Sequence, residues 1–241
     1  MSKYLSRADL ERIGGTVVNQ YYQTVPRVGT MPAPVDPVAL AKVVMGLEIS
    51  YLPLSGDGSI LGVACFQETA LEVCGDDGIP YQVQLSGRDI VIDSSLLDED
   101  KTGRHNFTAA HELAHHVLVR LYPEDYRNLL NCRTRIMYRD TRRSRDWEEW
   151  QANVMAAAII MPAQTIRCCM YLFGLGNRLD MVSSACRAKE FEKFCDIATY
   201  LGVSKKALAI RMKRLGLLGE EYLANPTAPM DVWKDEDEID D

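Results

Sequence analysis

Residues 107–118 read Phe-Thr-Ala-Ala-His-Glu-Leu-Ala-His-His-Val-Leu, and the His-Glu-x-x-His pattern inside them decides how the rest of the chain is read. On an α-helix, side chains four residues apart lie about 40° apart around the axis and about 6 Å along it. His111 and His115 can therefore point two imidazoles at one ion, which is half of a tetrahedral zinc site. Glu112 flanks the same face, where its carboxylate can take a proton from a metal-held water. With 4 His and 15 Glu in 241 residues, chance supplies roughly 0.004 matches to this pattern. The residues around it, Phe107, Ala109, Ala110, Leu113, Ala114, Val117, Leu118 and Leu121, leave little polar surface. Polar side chains on so apolar a helix need a reason to be buried.

Hydrolytic zinc usually takes three protein ligands and keeps one position open. The third is sought in Asp146–Pro162, Asp-Trp-Glu-Glu-Trp-Gln-Ala-Asn-Val-Met-Ala-Ala-Ala-Ile-Ile-Met-Pro. Acidic residues at its start, alanines in its middle and the closing proline predict a helix. Glu149, Asn153, Ala156 and Ile160 share one stripe of it. Glu149 is the candidate ligand and Asn153 a candidate supporting residue, with Glu148 and Asp146 as rivals for the metal; spacing alone also allows Glu148 and Glu149 merely to complement the helix dipole.

Together these residues resemble the ImmA/IrrE family of zinc metallopeptidases. The resemblance is carried by Phe-Thr-Ala-Ala-His-Glu-Leu-Ala-His at 107–115 and Glu-Trp-Gln-Ala-Asn at 149–153 with Met161-Pro162 closing the helix. Leu-Gly-Val-Ser at 201–204, Arg211 and Leu215-Gly-Leu complete it, so that it runs from about residue 36 to about 218. It implies a zincin-like α+β fold, Zn2+ on His111, His115 and Glu149, and Glu112 as the catalytic glutamate. It also implies a regulatory protease whose substrate is a helix-turn-helix transcriptional repressor. The family often has Gly where Ala114 stands and Phe-Ala near Val154-Met155-Ala156; neither departure touches a ligand or the base.

Ahead of the metal helix, Ser6 and Asp9 form a capping-box pattern for a helix carrying Leu10, Ile13, Val17 and Tyr21. Asp36-Pro37 opens a second helix that Gly46 can end. Short strands are expected at Glu48–Leu54, Ile60–Phe66, Tyr81–Leu85 and Asp89–Ile92, separated by glycine-rich turns. By analogy with zinc peptidases, Ile90–Asp93 or Val63–Phe66 would be the edge strand that holds a substrate backbone. Between the metal helices, residues 133–145 carry six arginines and read as a solvated loop, with Tyr138 or Arg139 as candidate oxyanion stabilisers. His116 and His105 are weaker candidates, for which a surface role is favoured.

Residues 191–218 read as helix, glycine turn, Ser204 cap and basic helix, which resembles half of a helix-turn-helix unit. Val203–Leu218 holds five Lys or Arg and no acid, so DNA contact is physically allowed; a scaffold or docking role is favoured because the whole chain has a net charge of −7. The expected division is an N-terminal helix and linker (1–35), a metallopeptidase domain (36–180), a helical segment (181–222) and an acidic, disordered tail (223–241). Seven cysteines, two of them adjacent, do not make a disulfide framework and point to a reducing cytoplasm. The uncharged apolar run Val154–Met161 falls far short of the ~20 residues that span a bilayer. The competing class is a regulator that binds DNA or sequesters a repressor and uses its metal as sensor or structural element.

Overall fold

The computed structural model describes residues 4–25, 32–75, 78–132, 134–138 and 147–219. Its helices are α1 (Arg7–Thr24), α2 (Pro37–Leu40), α3 (Thr102–Leu121), α4 (Arg127–Cys132), α5 (Trp147–Ile160), α6 (Ala163–Leu172), α7 (Ala188–Leu201) and α8 (Lys205–Arg214). Its strands are β1 (Glu48–Leu52), β2 (Ile60–Cys65), β3 (Thr69–Cys74), β4 (Pro80–Leu85), β5 (Asp89–Asp93) and β6 (Thr134–Tyr138). The fold is α+β. The chain forms two compact units, one of residues 1–26 with 35–160 and one of 27–34 with 161–241. These divide the chain differently from the boundaries expected at 35/36 and 180/181, because α1 packs on α5 and so joins the sheet unit.

The local signals at the N-terminus act as their chemistry dictates. Ser6 and Asp9 complete the capping box of α1, and Asp36 accepts from the Val38 and Ala39 amides to start α2 with Pro37 in its first turn. The helix continues as a π-turn over Ala41–Met45 and stops at Gly46, whose φ of 64° is the left-handed conformation glycine tolerates. Gly14 on α1 lets α5 come close: a Cβ there would lie 3.2 Å from Ala158 Cβ.

The four-stranded sheet has the order β1-β5-β2-β6, with β1 parallel to β5 and the other pairs antiparallel. β5, Asp-Ile-Val-Ile-Asp, is buried along Ile90–Asp93, as an apolar run covered on both faces should be. One sheet face presents Val63, Cys65, Val91 and Ile136 to the β3–β4 hairpin, where Val73 and Leu85 close a core and Leu71 and Val83 pack against it. The alternating face, with Gly62 and Ala64, turns to α3.

Two expectations are corrected here. The two strands proposed as substrate edges, Ile90–Asp93 and Val63–Phe66, lie within β5 and at the end of β2, the two interior strands; among the described residues the edges are β1 and β6. The arginine-rich segment is not simply a loop, since Thr134–Tyr138 forms β6 and pairs with β2. Ile136 explains it: its side chain joins the apolar face of the sheet, and that burial outweighs the charge of the flanking arginines. Strand β3, with Glu72 between Leu71 and Val73, is a half-exposed hairpin strand with no run of apolar residues to mark it in the sequence.

By length and hydropathy one stretch, Trp147–Leu172, is long and apolar enough to cross a membrane, more than the run Val154–Met161 led one to expect. Its 18-residue apolar window is 67% buried, as in the core helices of a fold, and Pro162 separates the stretch into α5 and α6. In the second unit, Gly202 ends α7 with φ 64° and Ser204 caps α8 through the Ala207 amide. Arg211 is 2% exposed and donates from Nε to the Met161 carbonyl at 3.0 Å. Cys65, Cys74, Cys168, Cys169, Cys186 and Cys195 are free thiols. The tail, expected to be disordered, lies outside the described residues from 220 onward.

Candidate metal centre

Helix α3 is buried continuously from Thr108 to Leu118, so its polar triad sits in the interior. His111, Glu112 and His115 are each 0% exposed. Helix α5 packs against α3 and delivers Glu149 from its first turn. His111 Nε2 lies 3.1 Å from Glu149 Oε2, His115 Nε2 lies 3.3 Å from Glu149 Oε1, and the two Nε2 atoms are 3.1 Å apart. In a tetrahedral site with bonds near 2.0–2.1 Å, donor atoms stand about 3.3 Å from one another. The three side chains thus present two imidazole nitrogens and a carboxylate at the spacing a zinc ion needs, and they form a metal-capable cluster. Of the rivals, Glu148 is buried but outside this cluster, and Asp146 lies outside the described residues.

Asn153, one turn beyond Glu149, places its Oδ1 3.2 Å from His111 Nδ1. That partner makes Nδ1 the protonated nitrogen and leaves the Nε2 lone pair for a metal. Burial pushes His115 down to about 4, with His111 and Arg135 adding to the shift and Glu149 opposing it. Burial works to raise Glu149, but the His111 and His115 imidazoles outweigh it and hold the carboxylate well below its ordinary range. A neutral His115 and an ionised Glu149 are the forms in which these groups ligate metals.

Glu112 is the opposite case. Burial first, and the Glu149 carboxylate second, hold its carboxyl well above the usual range; Arg135 and the Ala64 amide oppose the rise. Neither of its buried oxygens has a well-formed hydrogen bond. Its room comes from Gly62 on β2: a Cβ there would lie 2.8 Å from Glu112 Oε1 and 2.7 Å from Thr108 Cγ2. Only a residue without a side chain allows β2 to pass this close to the carboxylate.

The other candidates separate cleanly. His116 is buried against the Phe66 ring at 4.9 Å, and burial, with His115 beside it, pushes it down to about 4; it stands outside the ligand cluster and is not the surface residue expected. His105 meets the Tyr51 hydroxyl at 3.0 Å. Tyr138 ends β6 opposite Ile60, and Arg139 lies outside the described residues. Two residues of the centre escaped the sequence reading: Gly62, and Arg135 on β6, whose Nε donates to Glu149 Oε1 at 2.6 Å. A short β-pattern, Thr-Arg-Ile-Met-Tyr at 134–138, was the signal available for Arg135.

A helix carrying His-Glu-x-x-His, a carboxylate from a second helix and a sheet beside them make up a metallopeptidase-type domain. The family model described as the IrrE N-terminal-like domain, Peptidase_M78, matches residues 76–213. The chain belongs to this family. No match is found among the curated proteins.

Proposed function

We propose that the protein is a zinc-dependent endopeptidase of regulatory type, working in the cytoplasm, with a helix-turn-helix transcriptional repressor as substrate. The observation that carries the catalytic part is the set of donor distances of 3.1–3.3 Å among His111, His115 and Glu149, with the buried carboxylate of Glu112 on the same helix. A bound Zn2+ would bring the pKa of a coordinated water toward ~7 and polarise the scissile carbonyl.

The protein's own groups supply the rest. Asn153 holds His111 in the ligating tautomer. Glu112, whose burial strengthens its hold on a proton, takes the proton from the attacking water and returns it to the leaving amine. β6, an edge strand among the described residues, receives an extended substrate segment by strand addition, in place of the interior strands β5 and β2. The free thiols agree with a reducing compartment, and the choice of a repressor rests on the resemblance carried by residues 107–115, 149–153 and 201–217.

The second reading, a regulator with a sensory metal, is favoured by one observation, the α7–Gly202–Ser204–α8 hairpin with its basic residues. Against direct DNA contact, one of its five basic side chains, Arg211, is committed to the interior. Glu112→Gln separates the readings: incubated with zinc and a panel of helix-turn-helix repressors, the wild type should produce fragments resolved by mass spectrometry, while the variant keeps zinc and produces none. Cleavage by the variant at the wild-type rate would remove Glu112 from the mechanism.

A further inference from the structure

We propose that Arg135 is the positioning residue for Glu149, and through it ties the edge strand β6 to the metal centre; the inference rests on reading that centre as a zinc site. Register sets the geometry. β6 pairs Arg135 with Ala64 of β2, so that Arg135 shares the sheet face of Gly62 and Ala64 while its neighbour Ile136 enters the apolar core behind. Its guanidinium meets Glu149 with both side chains largely shielded, 23% and 14% exposed.

The contact falls on an oxygen that also faces the imidazole pair. Arg135 Nε donates to Oε1 at 2.6 Å, the same oxygen that lies 3.3 Å from His115 Nε2, while Oε2 lies 3.1 Å from His111 Nε2. A charge-assisted bond to Oε1 fixes the rotation of the carboxylate and so holds Oε1 beside His115 Nε2 and Oε2 beside His111 Nε2. It also sets a positive charge near two buried carboxylates, Glu112 and Glu149, which otherwise repel each other. Because Arg135 is part of the strand proposed to receive the substrate backbone, anything that orders β6 also orders Glu149.

Simple proximity predicts the reverse sign. A cation near a dication repels it, so an arginine that did nothing but sit nearby would weaken zinc binding, and removing it would strengthen binding. A positioning arginine has the opposite effect, because supporting partners of metal ligands are worth about 10–100-fold in metal affinity.

The test is zinc affinity of the full-length chain by competition with a chromogenic chelator, for wild type, Arg135→Gln, Arg135→Lys, Glu149→Ala and the Arg135→Gln/Glu149→Ala double variant, each checked for folding by circular dichroism. The expected result is about 10–100-fold weaker binding in Arg135→Gln. A smaller loss is expected in Arg135→Lys, which keeps the charge but not the planar fork. In the Glu149→Ala background, Arg135→Gln should add no further loss. Unchanged or tighter binding in a folded Arg135→Gln overturns the inference, as does an equal loss in both backgrounds. If Arg135→Gln fails to fold, the lysine variant decides: a weakened site supports the role and wild-type affinity overturns it. Failure of the wild type to bind zinc would overturn the metal-centre reading as well, and so is distinguishable from failure of the arginine alone.

Discussion

Gly62→Ala probes the distance between β2 and the metal helix with a single methyl group. An added Cβ would stand 2.7 Å from Thr108 Cγ2 and 2.8 Å from Glu112 Oε1, both inside van der Waals contact. Both neighbours are 0% exposed, so neither can swing into solvent. Overpacking of this kind costs about 1–3 kcal/mol, and replacing a strand glycine returns about 0.5–1 kcal/mol. From the middle of each range the net loss is about 1 kcal/mol, a fall of about 2–4 °C in Tm for a chain of this size. Thermal unfolding followed by circular dichroism measures the stability, and fragment formation from a cleavable repressor measures activity.

A second substitution sharpens the result. Thr108→Ser removes Cγ2, so Gly62→Ala/Thr108→Ser should recover part of the lost stability. The contact with Glu112 Oε1 survives in the double variant, and activity should remain depressed. A Gly62→Ala protein as stable and active as wild type would refute the packing argument. Recovery of both stability and activity by Thr108→Ser would refute the part that concerns Glu112.

Asn153→Ala should weaken zinc binding by about 10-fold or more with little change in unfolding midpoint, since it removes the partner of His111 Nδ1; chelator competition reads the loss. In the second unit, burial, with Cys168 adding to it, pushes the Cys169 thiol up to about 11 from 9.0. Between those values the unfolded chain ionises this thiol while the folded chain keeps it protonated, so its contribution lowers stability as pH rises from 9 to 11. At pH 8.5 iodoacetamide should therefore label the exposed Cys186 long before Cys169, as peptide mapping would register.

The metal helix was legible because its information is local: a four-residue spacing between two histidines, an apolar surround and an intervening glutamate are all contained in ten residues. Glu149 was legible only in part. Helical periodicity put it on a stripe with Asn153, but only the family resemblance ranked it above Glu148 and Asp146, and the packing of α5 on α3 supplies what spacing lacks. Strand pairing was not legible, because the order β1-β5-β2-β6 is a property of residues far apart in the chain. That is why β5 and β2 looked eligible as edges. The arginines flanking Ile136 masked β6 for a related reason: a strand with one apolar face and one site-facing arginine has no strong β-signal of its own. Nothing local sets Gly62 apart from any other strand glycine; its role comes from Thr108 and Glu112, which are distant in the chain.

Elemental analysis of the purified wild type and of Glu149→Ala, after both are supplied with zinc and passed through buffer exchange, tests the central claim most directly. About one zinc per chain is expected in the wild type, with a loss or sharp weakening in the variant. A wild type that holds no zinc, or a Glu149→Ala variant that holds it as tightly as the wild type, would contradict the three-ligand centre on His111, His115 and Glu149.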